Sequence, residues 1–132
     1  MTLIEEIKQD EGFSPTIYLC EAGKRTIGYG FNLDAGIDEE LATIILEYQV
    51  NKTINQLKRH LSFWYELTPA RQDVFVNMAF NLGIDGFLGF RKMLAAAGRG
   101  DVDAVCQEMV NSRWYTQVRN RAERLILKYR KG

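Results

Sequence analysis

Two acidic side chains, Asp10 and Glu11, fall at the C-terminal end of a stretch that reads as a short helix over residues 3–11. A helix C-terminus carries the negative end of the macrodipole, so an ionised carboxylate there costs about 0.3–1 kcal/mol. The same field favours the protonated carboxyl, the form that a general acid needs near neutral pH. The plainer alternative is a pair of solvated surface acids.

The next residues with chemical character are Cys20 and Thr26. Thr16-Ile17-Tyr18-Leu19 and Arg25-Thr26-Ile27 are β-prone, and Glu21-Ala22-Gly23-Lys24 between them is turn-like. With Glu21 to Arg25 as the loop, Cys20 lies across from Thr26, Tyr18 faces Gly28 and Thr16 faces Gly30. Strand side chains alternate, so these residues share one face of the ribbon. That face carries a thiol and a hydroxyl at one end. It is bare at Gly28 and Gly30, where a ligand can approach the backbone. Glycines that serve only twist or a bulge are the alternative.

The elements that must position these groups follow from caps and periodicity. Thr2 and Glu5 fit a capping box, Leu3, Ile4 and Ile7 give an apolar helical face, and Gly12 is a stop. Asp38 is an N-cap, Glu39 and Glu40 suit a first turn, and Lys58, Arg59 and His60 suit a last one. Leu41, Ile44, Ile45 and Tyr48 share one face of this helix over residues 39–60, which spans roughly 33 Å at about 1.5 Å per residue. Thr68-Pro69 starts another helix, with Val74, Phe75, Met78, Ala79 and Leu82 inward. Shorter helices are predicted over 87–97 and 101–112, then a last one with Val118, Ala122, Leu125, Ile126 and Tyr129 inward. No parallel βαβ pattern occurs, so the class is α+β and mostly helical. The expected organisation is one domain over 1–132: a β-containing lobe over 12–37, a helical lobe from 1–11 and 61–132, and a connecting helix over 38–60.

Composition narrows the function. With 46% hydrophobic and 26% charged residues the chain is globular, and its formal net charge of zero gives no case for nucleic acid or membrane as partner. Two cysteines, Cys20 and Cys106, are too few for a disulfide framework and suit a reduced compartment. No apolar run approaches the ~20 residues that span a bilayer. The start, MTLIEEIKQDEGF, lacks the basic and apolar regions of a signal peptide. No cluster of His, Cys and acids has ligand spacing, so no metal or organic cofactor is expected. A monomer is the default state.

Several spaced motifs then point to a family. Glu11-Gly12-Phe13, Ile17-Tyr18, Gly23 and Thr26-Ile27-Gly28-Tyr29-Gly30 resemble the active-site segment of the phage T4-type lysozymes, glycoside hydrolase family 24. Asn77-Met78-Ala79-Phe80-Asn81-Leu82-Gly83, Ser112-Arg113-Trp114-Tyr115 and Asn120-Arg121-Ala122 resemble the helical lobe of the same family. The resemblance covers nearly the whole chain apart from residues 34–67, where the chain looks shorter than the family's best-known member.

The resemblance implies a lysozyme-like fold and an endolysin that hydrolyses the β-1,4 bond from N-acetylmuramic acid to N-acetylglucosamine in peptidoglycan. The family pattern is a glutamate, eight residues, an acid or cysteine, five residues, then a threonine; Glu11, Cys20 and Thr26 fit it. It assigns Glu11 as general acid and Cys20 and Thr26 to placing water. It puts Gly30 and Asn32 on one wall of a groove, Phe80 and Asn81 on the other, and Arg121 near the glutamate. Cys20 departs from the usual aspartate, and a free thiol with a pKa of about 8.5 is mostly neutral at pH 7. Phe31 departs from a common structural histidine, which leaves His60 alone, as an expected surface residue. The polar groove contact that family members hold at the position of Glu108 is not carried over.

Three other readings compete. A lytic transglycosylase needs one glutamate and no second carboxylate. A catalytically dead wall-binding module would bind without cleaving. A thiol hydrolase would pair Cys20 with His60. Basic residues in the last stretch (Arg113, Arg119, Arg121, Arg124, Lys128, Arg130 and Lys131) suit either a solvated helix face or contact with an anionic wall. By implication of the family, the protein waits in the host cytoplasm until a holin releases it to peptidoglycan.

Overall fold

The computed structural model describes every residue from Met1 to Gly132. It is mostly helical α+β, as the sequence predicts, with eight α-helices and one small antiparallel sheet. The chain clusters into two units, Met1–Ile45 and Leu46–Gly132.

In the first unit, α1 (Leu3–Glu11) begins with the predicted capping box: Glu5 N–H donates to Thr2 Oγ1 at 3.1 Å, and Thr2 N–H donates to Glu5 Oε2 at 2.8 Å. Gly12, with φ +69°, turns the chain out of the helix while its N–H donates to the Lys8 carbonyl. Strands β1 (Ser14–Leu19), β2 (Arg25–Gly28) and β3 (Phe31–Asn32) follow in sheet order β1-β2-β3. A 3-10 turn over Leu33–Ala35 leads toward α2 (Glu39–His60), whose first residues belong to this unit. Among residues 1–45, Thr26 alone is buried; it sits on the central strand, with Tyr18 opposite on one side and Asn32 on the other.

The hairpin register differs from the expected one. Tyr18 pairs with Thr26 and Leu19 with Arg25, not Tyr18 with Gly28 or Cys20 with Thr26. The cause is the turn. Gly23 N–H donates to the Cys20 carbonyl at 2.8 Å with φ +77° at Gly23, so Cys20 is drawn into the loop. Its N–H donates to the Lys24 carbonyl at 3.0 Å. A register shift between Ser14 and Tyr18 then pairs Gly28 with Ser14, so Thr16 does not face Gly30.

In the second unit, the rest of α2 is followed by α3 (Pro69–Leu82), α4 (Ile84–Leu88), α5 (Arg91–Gly98), α6 (Val102–Val110), α7 (Arg113–Gln117) and α8 (Arg119–Lys131). Asp38 Oδ1 accepts the Leu41 N–H at 2.8 Å, and Thr68 Oγ1 accepts the Arg71 N–H at 3.2 Å. Both caps fall where the sequence puts them. The hydrophobic core lies entirely in this unit, from Leu57 to Tyr129. Phe75 is fully buried, with ring centroids 5.3 Å from Phe87 and 5.2 Å from Tyr129. Each such buried ring contributes about 1.5–3 kcal/mol.

The expected single helix over 87–97 is two helices. Phe90 leaves helical geometry at ψ 58°, and its ring meets Trp114 edge-on at 6.5 Å. The helix expected over 101–112 likewise stops at Val110, because Ser112 is the N-cap of α7 and accepts the Tyr115 N–H.

Candidate active site

Glu11 is the last residue of α1 and is exposed. Its carboxyl lies directly against Gly30: a Cβ built on that glycine would sit 2.5 Å from Glu11 Oε2 and 3.1 Å from Cδ. Gly30 also has φ +75°, a conformation that side chains with a Cβ rarely adopt. The backbone conformation favours glycine here, and any side chain would have to push the Glu11 carboxyl aside. A recess of about 340 Å³ opens beside Glu11, lined by Glu11, Gly12, Phe13, Ser14 and Tyr18. That volume is within the range of small-ligand sites, ~300–1,000 Å³. Phe13 packs on Tyr29 at 5.4 Å between ring centroids, which fixes the wall behind it.

Cys20 and Thr26 sit on the same hairpin. The Lys24 backbone amide holds the Cys20 thiol below its ordinary pKa, with smaller help from the Ala22 amide and the Thr26 hydroxyl against modest desolvation. The Thr26 hydroxyl otherwise donates to the Lys24 carbonyl at 2.9 Å. Cys106 is the opposite case. It is 1% exposed, burial pushes its thiol up, and its Sγ faces the Ile126 carbonyl at 3.9 Å. Both cysteines are free. Iodoacetamide at rising pH is therefore expected to label Cys20 first, with a midpoint below that of an ordinary thiol, and to leave Cys106 unlabelled in the folded protein. Peptide mapping by mass spectrometry reads both outcomes, and equal labelling would contradict the described environments.

Asn32 spends its Oδ1 on the Asp34 N–H at 3.0 Å, which caps the 3-10 turn and leaves its amide NH2 free. Phe31, in place of the family's histidine, is 61% exposed, with its ring edge 2.9 Å from where a Gly28 Cβ would stand. His60 is exposed in the last turn of α2, as expected.

In the second unit, Phe80 is 39% exposed and lines a groove with Gln49, Lys52, Thr53 and Gln56 of α2. Asn81 is exposed; its Oδ1 accepts the Trp114 indole N–H at 2.9 Å, and its amide NH2 is free to meet a ligand. Trp114 is core, 2% exposed. Replacing Asn81 with leucine removes that acceptor and is expected to destabilise by about 1 kcal/mol, the low end for a lost buried partner because Asn81 itself is wet. A thermal melt checks this. Arg121 is held by Asn77 through Nε to Oδ1 at 2.8 Å and Nη2 to the carbonyl at 3.3 Å. Other cations of the basic stretch are engaged too: Arg130 with Asp103 at 2.6 Å, Arg119 with Glu123 at 2.7 Å and Lys128 with Asp73 at 3.6 Å.

The sequence reading missed a pocket of about 590 Å³ over Trp114 and Phe90. Its rim carries Arg91, Lys92 and Arg113, and Glu108 lines it half-buried with no ion-pair partner within 4.0 Å. The split between α4 and α5, which creates the pocket's Phe90 wall, carries no sequence signal beyond Gly89.

The mostly helical α+β architecture is consistent with a lysozyme-like fold. The phage lysozyme family model matches residues 8–131, and the chain belongs to that family. Among curated proteins it is similar to the pre-baseplate central spike protein Gp5 of Enterobacteria phage T4, 26% identical over an alignment 156 positions long. The match covers 96% of this chain and 27% of that protein, so the chain spans about a quarter of that relative's length.

Proposed function

We propose that this chain hydrolyses the β-1,4 glycosidic bond between N-acetylmuramic acid and N-acetylglucosamine in bacterial peptidoglycan. The observation that carries the reading is the Glu11 carboxyl, set against Gly30 beside an open recess, in a chain that the family model spans almost end to end.

In the proposed reaction Glu11 gives its proton to the glycosidic oxygen as the bond to the anomeric carbon breaks. Water attacks that carbon. Cys20, as thiolate, takes the water proton, and the Thr26 hydroxyl orients the water. The Glu11 carboxylate then takes a proton from solvent, and the Cys20 thiol releases to solvent the proton it took from water, which restores both groups. Cys20 thus stands where glycosidases usually place a second carboxylate. The Lys24 amide beside it supports this, because it favours the anionic form. Gly30 and Asn32 in the first unit, and Phe80, Asn81 and Arg121 in the second, are the proposed sugar contacts. The aromatic ring of Phe80 beside amides suits apolar CH faces beside hydroxyls.

A lytic transglycosylase is the second reading, favoured by the absence of a carboxylate at Cys20. A binding module without activity is separated from both by dye release from labelled, purified sacculi. Soluble fragments released by the native chain support an enzyme. Sedimentation of protein with sacculi and no release would leave a wall-binding module.

A further inference from the structure

The three hydrogen bonds from Arg25 to Asp34 are the only side-chain hydrogen bonds in the first unit that span more than four residues. Asp34 Oδ2 accepts the Arg25 backbone N–H at 2.9 Å, and Oδ1 accepts Nε at 3.0 Å and Nη2 at 2.7 Å. The guanidinium half is a surface ion pair, 66% and 33% exposed, which adds little stability by itself. The backbone half is different, because Arg25 lies between Lys24 and Thr26. The Lys24 amide faces the Cys20 thiol, and the Lys24 carbonyl accepts both the Cys20 N–H and the Thr26 hydroxyl. Asp34 is itself anchored, since its N–H donates to Asn32, the register partner of Thr26 on the neighbouring strand.

We propose that Asp34 is a positioning residue of the candidate active site: by gripping the Arg25 backbone amide it fixes the Lys24–Arg25 peptide plane, whose carbonyl holds both the Cys20 N–H and the Thr26 hydroxyl. A carboxylate suits the task because one oxygen takes the amide while the other holds the guanidinium. The grip also persists into acid. Arg25, through its backbone amide first and its side chain second, keeps the Asp34 carboxyl below the ordinary carboxylate range. Its folded pKa is depressed, so the contribution is present above the ordinary value and is lost only as pH falls through the lower one. The effect on glycan cleavage rests on the hydrolase reading above; the effect on the thiol does not.

The test compares Asp34→Ala, Asp34→Asn and Arg25→Ala in the full chain, with two readouts: the pH midpoint of Cys20 alkylation by iodoacetamide, and kcat and KM on solubilised peptidoglycan. Asp34→Ala is expected to move the Cys20 midpoint up toward an ordinary thiol and to lower kcat about tenfold with KM unchanged. Asp34→Asn removes the same charge and keeps an oxygen acceptor, so it falls between Asp34→Ala and the native chain. Arg25→Ala breaks the same ion pair but keeps the backbone bond, and leaves both readouts within about twofold. Equal effects of Arg25→Ala and Asp34→Ala would reduce the contact to an ion pair and overturn the proposal. So would a Cys20 midpoint that Asp34→Ala and Asp34→Asn both leave unmoved. If the native chain does not cleave glycan, the hydrolase reading fails and the alkylation comparison still decides the role of Asp34.

Discussion

Glu11→Gln is expected to lower glycan cleavage by about 10³-fold, within the ~10²–10⁴ range for loss of a general acid. Glutamine fills the same space and offers no proton of comparable acidity. The same substitution is expected to leave the protein as stable or slightly more so. Glu11 ends α1, where a negative charge opposes the helix dipole, and removing it contributes about 0.3–1 kcal/mol. A surface acid with no chemical role would show the stability gain without the loss of rate. Dye release from sacculi and a thermal melt on one preparation read both quantities. The opposite movement of rate and stability is the signature of a residue kept for chemistry at a cost in stability.

Gly30→Ala carries the second large effect. The added methyl group would stand 2.5 Å from Glu11 Oε2, so either the carboxyl or the β2–β3 turn must move. The positive φ of 75° adds a conformational cost of about 1–2 kcal/mol. Displacing a catalytic group by about 1 Å costs on the order of 10²-fold in rate. The expected result is therefore a drop of that size in kcat with a melting temperature lowered by a few degrees. Gly100→Ala is the control. It has a similar φ, +73°, but an added Cβ meets nothing within 4 Å, so it bears the strain without touching Glu11 or the hairpin. Equal loss of activity in the two variants would mean that turn strain, and not the carboxyl, governs the rate.

Legibility in the sequence followed the range of the forces involved. α1 and α2 lie where the sequence puts them, because Thr2, Glu5 and Asp38 cap through contacts only three residues long. The inward stripe of α3 is also local, and Val74, Phe75, Met78 and Ala79 are buried. The hairpin was legible as an element and illegible in register. Its pairing depends on whether Cys20 belongs to the strand or the turn, and the Gly23-to-Cys20 hydrogen bond decides that. Glu11, Cys20, Thr26 and Gly30 were legible as candidates by type and spacing. The contact of Gly30 with Glu11 was foreseeable only as bare backbone. The Asp34–Arg25 grip was not legible, since it needs β3 and the 3-10 turn to bring residues nine positions apart together. The pocket over Trp114 was hidden for a like reason: it exists because Phe90 breaks the helix, and Phe90 is no helix breaker by composition.

The Cys20 thiol sets the pH dependence that the account expects. Because its folded pKa is depressed, the thiolate proposed to take the water proton is available at lower pH than an ordinary cysteine would allow. Activity should rise through that lowered value, and Cys20→Ala should remove this limb of the profile while Glu11 remains.

The most direct test of the central claim, that Glu11, Cys20 and Thr26 cleave glycan with water, is mass spectrometry of the muropeptides released from purified peptidoglycan. The account predicts fragments ending in reducing N-acetylmuramic acid, absent when Glu11→Gln is used. Fragments one water lighter, ending in anhydromuramic acid, would contradict it, because the chain would then close the sugar on itself without a water for Cys20 and Thr26 to place.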